Sequence, residues 1–120
     1  MEDLSKINFK ELNSLNLIEN NISSIKKLEN IYLKKLKKLN LDYNKISDIN
    51  ILEKLNLNEL KELYLNNNKL PDLSVISKFN FKGLEKLDLS KNKFTDIEKL
   101  KNLDFNELKE LYLKKIIYQI

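Results

Sequence analysis

LKELYLNNNKLPDL, residues 60–73, sets leucines at 60, 63 and 65, then three consecutive asparagines, a further leucine and the only proline of the chain. The same order recurs without gaps in LNSLNLIENNISSI (12–25), LKKLNLDYNKISDI (36–49) and LEKLDLSKNKFTDI (84–97), at a period of 24, and LKELYLKK (108–115) begins it again. Self-similarity at a fixed period is the mark of a repeat architecture. Counted from the first leucine of each repeat, positions 1, 4, 6, 11, 14, 17, 20 and 22 form eight columns, and the 40 places they occupy over five periods are all apolar. Met1, Leu4, Ile7 and Phe9 fill columns 14, 17, 20 and 22 ahead of the first full repeat.

The column spacings predict local structure. Positions 3–7 alternate, with leucines at 4 and 6 facing inward and mostly polar residues at 3, 5 and 7 facing outward, which is the period of a strand. Positions 14, 17 and 20 lie three apart, as in a short helix or 3-10 turn with one buried stripe. Ser47-Asp48, Pro71-Asp72 and Thr95-Asp96 stand just before that stripe, where side-chain oxygens and proline suit a helix start; Thr95 and Glu98 have capping-box spacing. Each unit therefore reads strand, turn, short helical segment, return. One unit has no means of burying its own apolar side, and stacking closes the core. The chain is a single domain over 1–120: a partial repeat 1–11, repeats 12–35, 36–59, 60–83 and 84–107, and a C-terminal partial repeat 108–120.

Asn20, Asn44, Asn68 and Asn92 recur at position 9, where the chain leaves the strand and turns inward. A buried asparagine is costly unless its donors and acceptor are used, and in a stacked turn they can bond backbone groups of their own and neighbouring coils. These four form the expected structural ladder. Asn66 and Asn67 are left on the exposed strand end, and Pro71 needs no donor at a helix start.

The pattern LxxLxLxxNxI followed by S/T-D-I resembles the leucine-rich repeat proteins, and NKISDI (44–49) is similar to the SDS22-like class that includes the bacterial internalins. The resemblance covers essentially the whole chain. The chain departs from that class in its longer 24-residue repeat and in Ile116, which replaces the ladder asparagine. The resemblance implies an α/β fold: a curved right-handed solenoid with a parallel β-sheet on the concave face and short helical or 3-10 segments on the convex face. It also implies a protein that binds another protein on the concave side.

Composition removes several function classes. The chain has no cysteine and no histidine, so disulfides, a thiolate nucleophile, the usual general base and the commonest metal ligand are all missing. Acidic residues such as Asp42, Glu62 and Asp88 lie on an open face with no closed, water-excluding site around them. No enzyme activity, cofactor or metal is expected. Apolar runs of at most three residues exclude membrane insertion by a helix. The net charge of +4 comes with 22 basic residues that are all lysine; without arginine's planar fork, specific nucleic-acid readout is not expected. The lysines of YLKKLKKLN (32–40) read as a solvated edge between lattice leucines. Asn21-Ile22-Ser23 matches a glycosylation acceptor, relevant only to a secreted chain. The cytoplasm is the expected location, with the cell surface or secretion as the alternative if a leader has been removed.

Subtracting the 40 lattice residues isolates ten apolar ones, and four of these, Ile18, Tyr43, Tyr64 and Tyr112, fall at outward positions 5, 7 and 8. Tyrosines among polar neighbours suit a protein interface. Tyr64 and Tyr112 share position 5 with Asp88 between them, placing the rings about 10 Å apart, a gap one partner side chain can enter. Charge is polarised, with Lys91, Lys114 and Lys115 toward one end and Glu19 and Asp42 toward the other, a pattern that orients a partner. The expected partner-binding face is Ile18, Tyr43, Tyr64, Asp88, Lys91, Tyr112 and Lys114. Strand propensity alone also places tyrosine here. On that reading the chain is a structural spacer or assembly segment of a longer array that self-associates through its ends. On either reading the apolar tail of Ile116, Ile117, Tyr118 and Ile120 is expected to fold over the open stack as a cap, the alternatives being a longer array and end-to-end association.

Overall fold

The computed structural model of the chain describes residues 10–74, 76–79, 82–95, 97–102 and 106–115. The partial lattice at Met1 to Phe9, the cap residue Asp96, and the C-terminal tail from Ile116 lie outside these. Five strands, β1 (Ser14–Asn16), β2 (Lys38–Asn40), β3 (Glu62–Tyr64), β4 (Lys86–Asp88) and β5 (Glu110–Tyr112), form one sheet in the order β1-β2-β3-β4-β5. All pairs are parallel, and the register equals the repeat: Leu15, Leu39, Leu63, Leu87 and Leu111 lie side by side. A slip of one residue would turn each of these leucines to the outer face, so the apolar column locks the register.

The strands occupy positions 3–5 rather than 3–7. The shortening has a backbone cause: Glu19, Tyr43, Asn67, Lys91 and Lys115, all at position 8, adopt left-handed φ values of 54–58°. The chain leaves the sheet there, while ladder bonding persists further, with Leu41 N–H donating to the Tyr64 carbonyl at 2.8 Å and Tyr43 N–H to the Asn66 carbonyl at 2.8 Å.

The return path carries 3-10 segments at Lys26–Asn30, Asn50–Glu53, Ile76–Lys78 and Ile97–Asn102. A spacing of three matches three residues per turn, so Leu28, Leu52 and Ile76 all face the core. Side-chain capping of these segments takes a different form from the one expected. The residues at the caps of the first two are Ile25 and Ile49, without side-chain bonds. Asp48 and Asp72 instead accept the backbone N–H two residues on, at Asn50 (2.8 Å) and Ser74 (3.0 Å), the geometry of an Asx turn.

The core is one continuous stack in which Leu36, Leu39, Leu41, Leu63, Leu65, Leu87, Leu89 and Phe94 have no exposed surface. In the five-stranded sheet β2, β3 and β4 are shielded from both sides. On the outermost strands Leu15 is half-buried and Leu111 is 38% exposed. Asn44, Asn68 and Asn92 are buried and bond across coils. The Asn44 oxygen accepts the N–H groups of Asn20 (3.0 Å) and Ile22 (2.9 Å), and its amide donates to the carbonyls of Leu17 and Leu41. Asn68 takes the Ile46 N–H at 3.0 Å and Asn92 the Leu70 N–H at 3.0 Å. Asn20 differs from these three: it is exposed, and its amide donates to the carbonyl of Ile18 in its own coil.

Candidate functional site: a trough on the concave sheet

Position 3 carries Lys38, Glu62, Lys86 and Glu110 on successive strands, so opposite charges alternate across the sheet. Lys86 pairs with Glu110 at 3.4 Å. At position 2, Glu85 sits between Lys61 (3.9 Å) and Lys109 (3.0 Å). The Lys109 ammonium holds the Glu85 carboxyl below its usual range, and the Glu110 carboxylate raises the Lys86 ammonium. Pairs so open to water add little stability, but they interleave opposite charges across the coils of β3, β4 and β5.

Tyr64 lies half-buried in β3. Its hydroxyl donates to the Glu62 carboxylate, and the Lys38 ammonium rests 5.5 Å from the ring centre, a cation–π arrangement. Burial, with the Glu62 bond and charge second, pushes the Tyr64 phenol well above its ordinary value. Tyr112 stands two strands away in the same row, with Asp88 between them: Tyr64 aligns with Asp88, and Asp88 with Tyr112.

Polar residues at position 7 carry the sheet's hydrogen bonding onto the next coil. Asp42 Oδ1 accepts the Asn66 N–H at 2.7 Å, and Ser90 Oγ accepts the Lys114 N–H at 2.8 Å. Asp88 Oδ1 accepts the Ser90 N–H at 2.9 Å. Burial raises the Asp42 carboxyl, the Asn66 N–H opposes this, and the Asp88 charge adds to it. The side-chain oxygen of Asn66, on the coil between them, is buried and has no hydrogen-bond partner.

These groups line an open trough of about 510 Å³ that brings together Tyr64, Asp88, Lys91, Tyr112 and Lys114 of the seven residues nominated from sequence. Ile18 and Tyr43 are not among its lining residues. Ile18 is 40% exposed beyond the end of β1. Tyr43 is 43% exposed in its left-handed turn, and the Lys91 ammonium lies 5.8 Å from its ring. Sequence reasoning did not nominate Lys38, Asp42, Asn66, Lys86 or Glu110, all of which line the trough. The alternation of charge down position 3 was available as a signal; the bonding role of position 7 was not, because Asp42, Asn66, Ser90 and Lys114 share no residue type. No group of three or more side chains suited to a metal ion occurs among the described residues, and no helix among them is long and apolar enough to cross a membrane.

The stacked coils, in-register parallel sheet and asparagine turns define a leucine-rich repeat solenoid. A family model described as leucine-rich repeats (2 copies) matches residues 34–78 and 58–102, more than half of the 120-residue chain, and the chain belongs to that family. Leucine-rich repeat domains are typically protein–protein interaction modules. Among solved structures the chain is similar to an internalin C2 from Listeria monocytogenes, at 22% identity and a TM-score of 0.63, covering 92% of this chain and 54% of that one. It is also similar to an internalin F from the same organism, at 30% identity and a TM-score of 0.54, covering 92% of this chain and 36% of that one. The chain thus spans about half the length of the first and about a third of the second. A search of curated protein sequences finds no match.

Proposed function

We propose that the chain is a non-enzymatic recognition module that binds a partner protein on the concave sheet, and that within its family it belongs to the SDS22-like class. The observation that carries the binding role is the trough, where Tyr64 and Tyr112 flank Asp88 and Lys91 and Lys114 complete the lining. Tyrosine offers large contact area with few rotors to freeze, and such residues dominate interface energies. Ile18 and Tyr43 extend the same side of the molecule beyond the trough. The membership of the SDS22-like class rests on the S/T-D-I sequence after two of the turns, at Ser47 to Ile49 and Thr95 to Ile97.

The test is affinity capture from the source organism on the immobilised chain, followed by titration of the captured partner against Tyr43→Ala, Tyr64→Ala and Tyr112→Ala. At least one replacement should weaken binding by more than about 1 kcal/mol. Equal affinity for all three would remove the concave reading and leave the assembly role, in which truncation at the ends changes oligomeric state.

A further inference from the structure

Among the charged groups lining the trough, three of the four lysines have a partner and two of the three acids have no cation. Of the four lysines, Lys86 is paired with Glu110, Lys38 lies on the Tyr64 ring and Lys91 on the Tyr43 ring, while Lys114 has no such partner among the described residues. The carboxylates of Asp42 and Asp88 are half-buried, yet among the described residues neither has an ammonium within ion-pair distance. One backbone N–H reaches each of them, at Oδ1 in both cases. The buried oxygen of Asn66 has no donor at all. Three side chains on three successive coils therefore keep unused acceptor capacity with no compensating cation, beside two tyrosines. Half-buried carboxylates that repel each other are a standing cost to the fold, and the raised Asp42 carboxyl is the same fact seen in its protonation.

We infer that the trough receives an arginine side chain of the partner protein, entering between Tyr64 and Tyr112 with its guanidinium over Asp88 and turned toward Asn66 and Asp42. This rests on the concave face being the binding face. Arginine suits the site better than lysine: the guanidinium has five donors and no acceptor, pairs with carboxylates in a planar fork and stacks on aromatic rings. An ammonium is compact, strongly hydrated and offers no plane to the tyrosines. An acidic partner side chain would find Lys38, Lys86 and Lys91 already engaged with two rings and Glu110, leaving Lys114 alone to receive it, and would meet two uncompensated carboxylates in the same trough.

The test uses the full chain, isotopically labelled for NMR, and three probes: the N-acetyl, N-methylamide derivatives of arginine, lysine and citrulline, the last a neutral isostere of arginine. Arginine should give saturable shifts centred on the Asn66 side-chain amide and the Ser90 N–H, with citrulline at least tenfold weaker and lysine weaker than arginine. The double variant Asp42→Asn, Asp88→Asn keeps oxygens able to accept the Asn66 and Ser90 N–H groups, so its spectrum should remain that of a folded chain while arginine affinity falls at least fivefold. Citrulline or lysine binding as well as arginine, an unaffected double variant, or arginine shifts spread evenly over exposed acids such as Glu11, Glu29 and Glu53 would each overturn the inference. If the arginine probe fails while the tyrosine replacements still weaken the captured partner, this inference falls and the concave reading stands. If both are silent, the concave reading falls too.

Discussion

Replacing Asn68 by alanine tests the physics that holds coil to coil. Asn68 is buried; its oxygen accepts the Ile46 N–H at 3.0 Å, and its amide donates to the carbonyls of Leu41 (3.0 Å) and Leu65 (3.2 Å). A longer bond reaches the Asn66 carbonyl at 3.5 Å, and the loss is smaller than four broken bonds suggest, because the carbonyls are shared. Leu41 keeps the amide of Asn44 at 3.0 Å, and Leu65 keeps that of Asn92 at 2.9 Å. Only the Ile46 N–H loses its sole side-chain partner. Leaving one buried donor unsatisfied costs about 1–3 kcal/mol, and the emptied side-chain volume adds to this, so Asn68→Ala should destabilise the chain by about 2–3 kcal/mol. With a urea slope of about 2 kcal/mol per molar, the unfolding midpoint should fall by about 1 M at an unchanged slope. Asn44 makes the sharper comparison: its oxygen serves two donors, at Asn20 and Ile22, so Asn44→Ala should cost more than Asn68→Ala. Exposed Asn20, whose side chain bonds within its own coil and whose cross-coil bond is a backbone N–H that alanine retains, should change stability by less than about 0.5 kcal/mol on the same replacement. If the Asn68 and Asn20 variants unfold at the same urea concentration, the shared-ladder reasoning is wrong.

Leu63 and Leu111 occupy the same column, one with no exposed surface and the other 38% exposed. Leu63→Ala should cost about 2–5 kcal/mol and Leu111→Ala clearly less, as read by urea unfolding; equal losses would contradict the shielding of the central strands. The Tyr64 phenol is raised by burial first and by Glu62 second, so the folded state retains a proton that the unfolded state releases. Its contribution to stability is complete below the ordinary tyrosine value of 10.0 and is lost as pH rises beyond that value through the raised one. Ultraviolet titration should show one phenol lagging the others, and Tyr64→Phe should abolish that lag; a lag that survives the replacement assigns it elsewhere.

The functional reading places specificity in the trough. Tyrosine area and lysines are common features of protein-binding surfaces, whereas two half-buried carboxylates and an unpaired amide oxygen select among partners by chemistry. Such a site is destabilising when empty, and a partner that supplies the missing donors is stabilised by meeting them.

The periodic leucines determine the architecture without help from tertiary detail. A 24-residue period with 40 apolar places has one economical burial solution, a stack in which Leu39, Leu63 and Leu87 become neighbours. A short helical return was equally legible from the spacing of three, while the choice of 3-10 over α-helical geometry shows only in the structure. Asparagine at position 9 also announces itself by chemistry, but only the structure shows that the Asn20 side chain bonds within its own coil and that carbonyls are shared between successive asparagines. The left-handed residue at position 8 left almost no trace: Glu19, Tyr43, Lys91 and Lys115 adopt it as readily as Asn67, because neighbouring coils hold the backbone there whatever the side chain. For the same reason the site was only half readable. Alternation tells which residues face outward, so Tyr64, Asp88 and Tyr112 could be aligned from their numbers. Lys86 and Glu110 are one period apart and pair as spacing suggests, but which carboxylates are left without a cation depends on where the other long lysine side chains come to rest, and Lys38 on Tyr64 and Lys91 on Tyr43 are choices made through space.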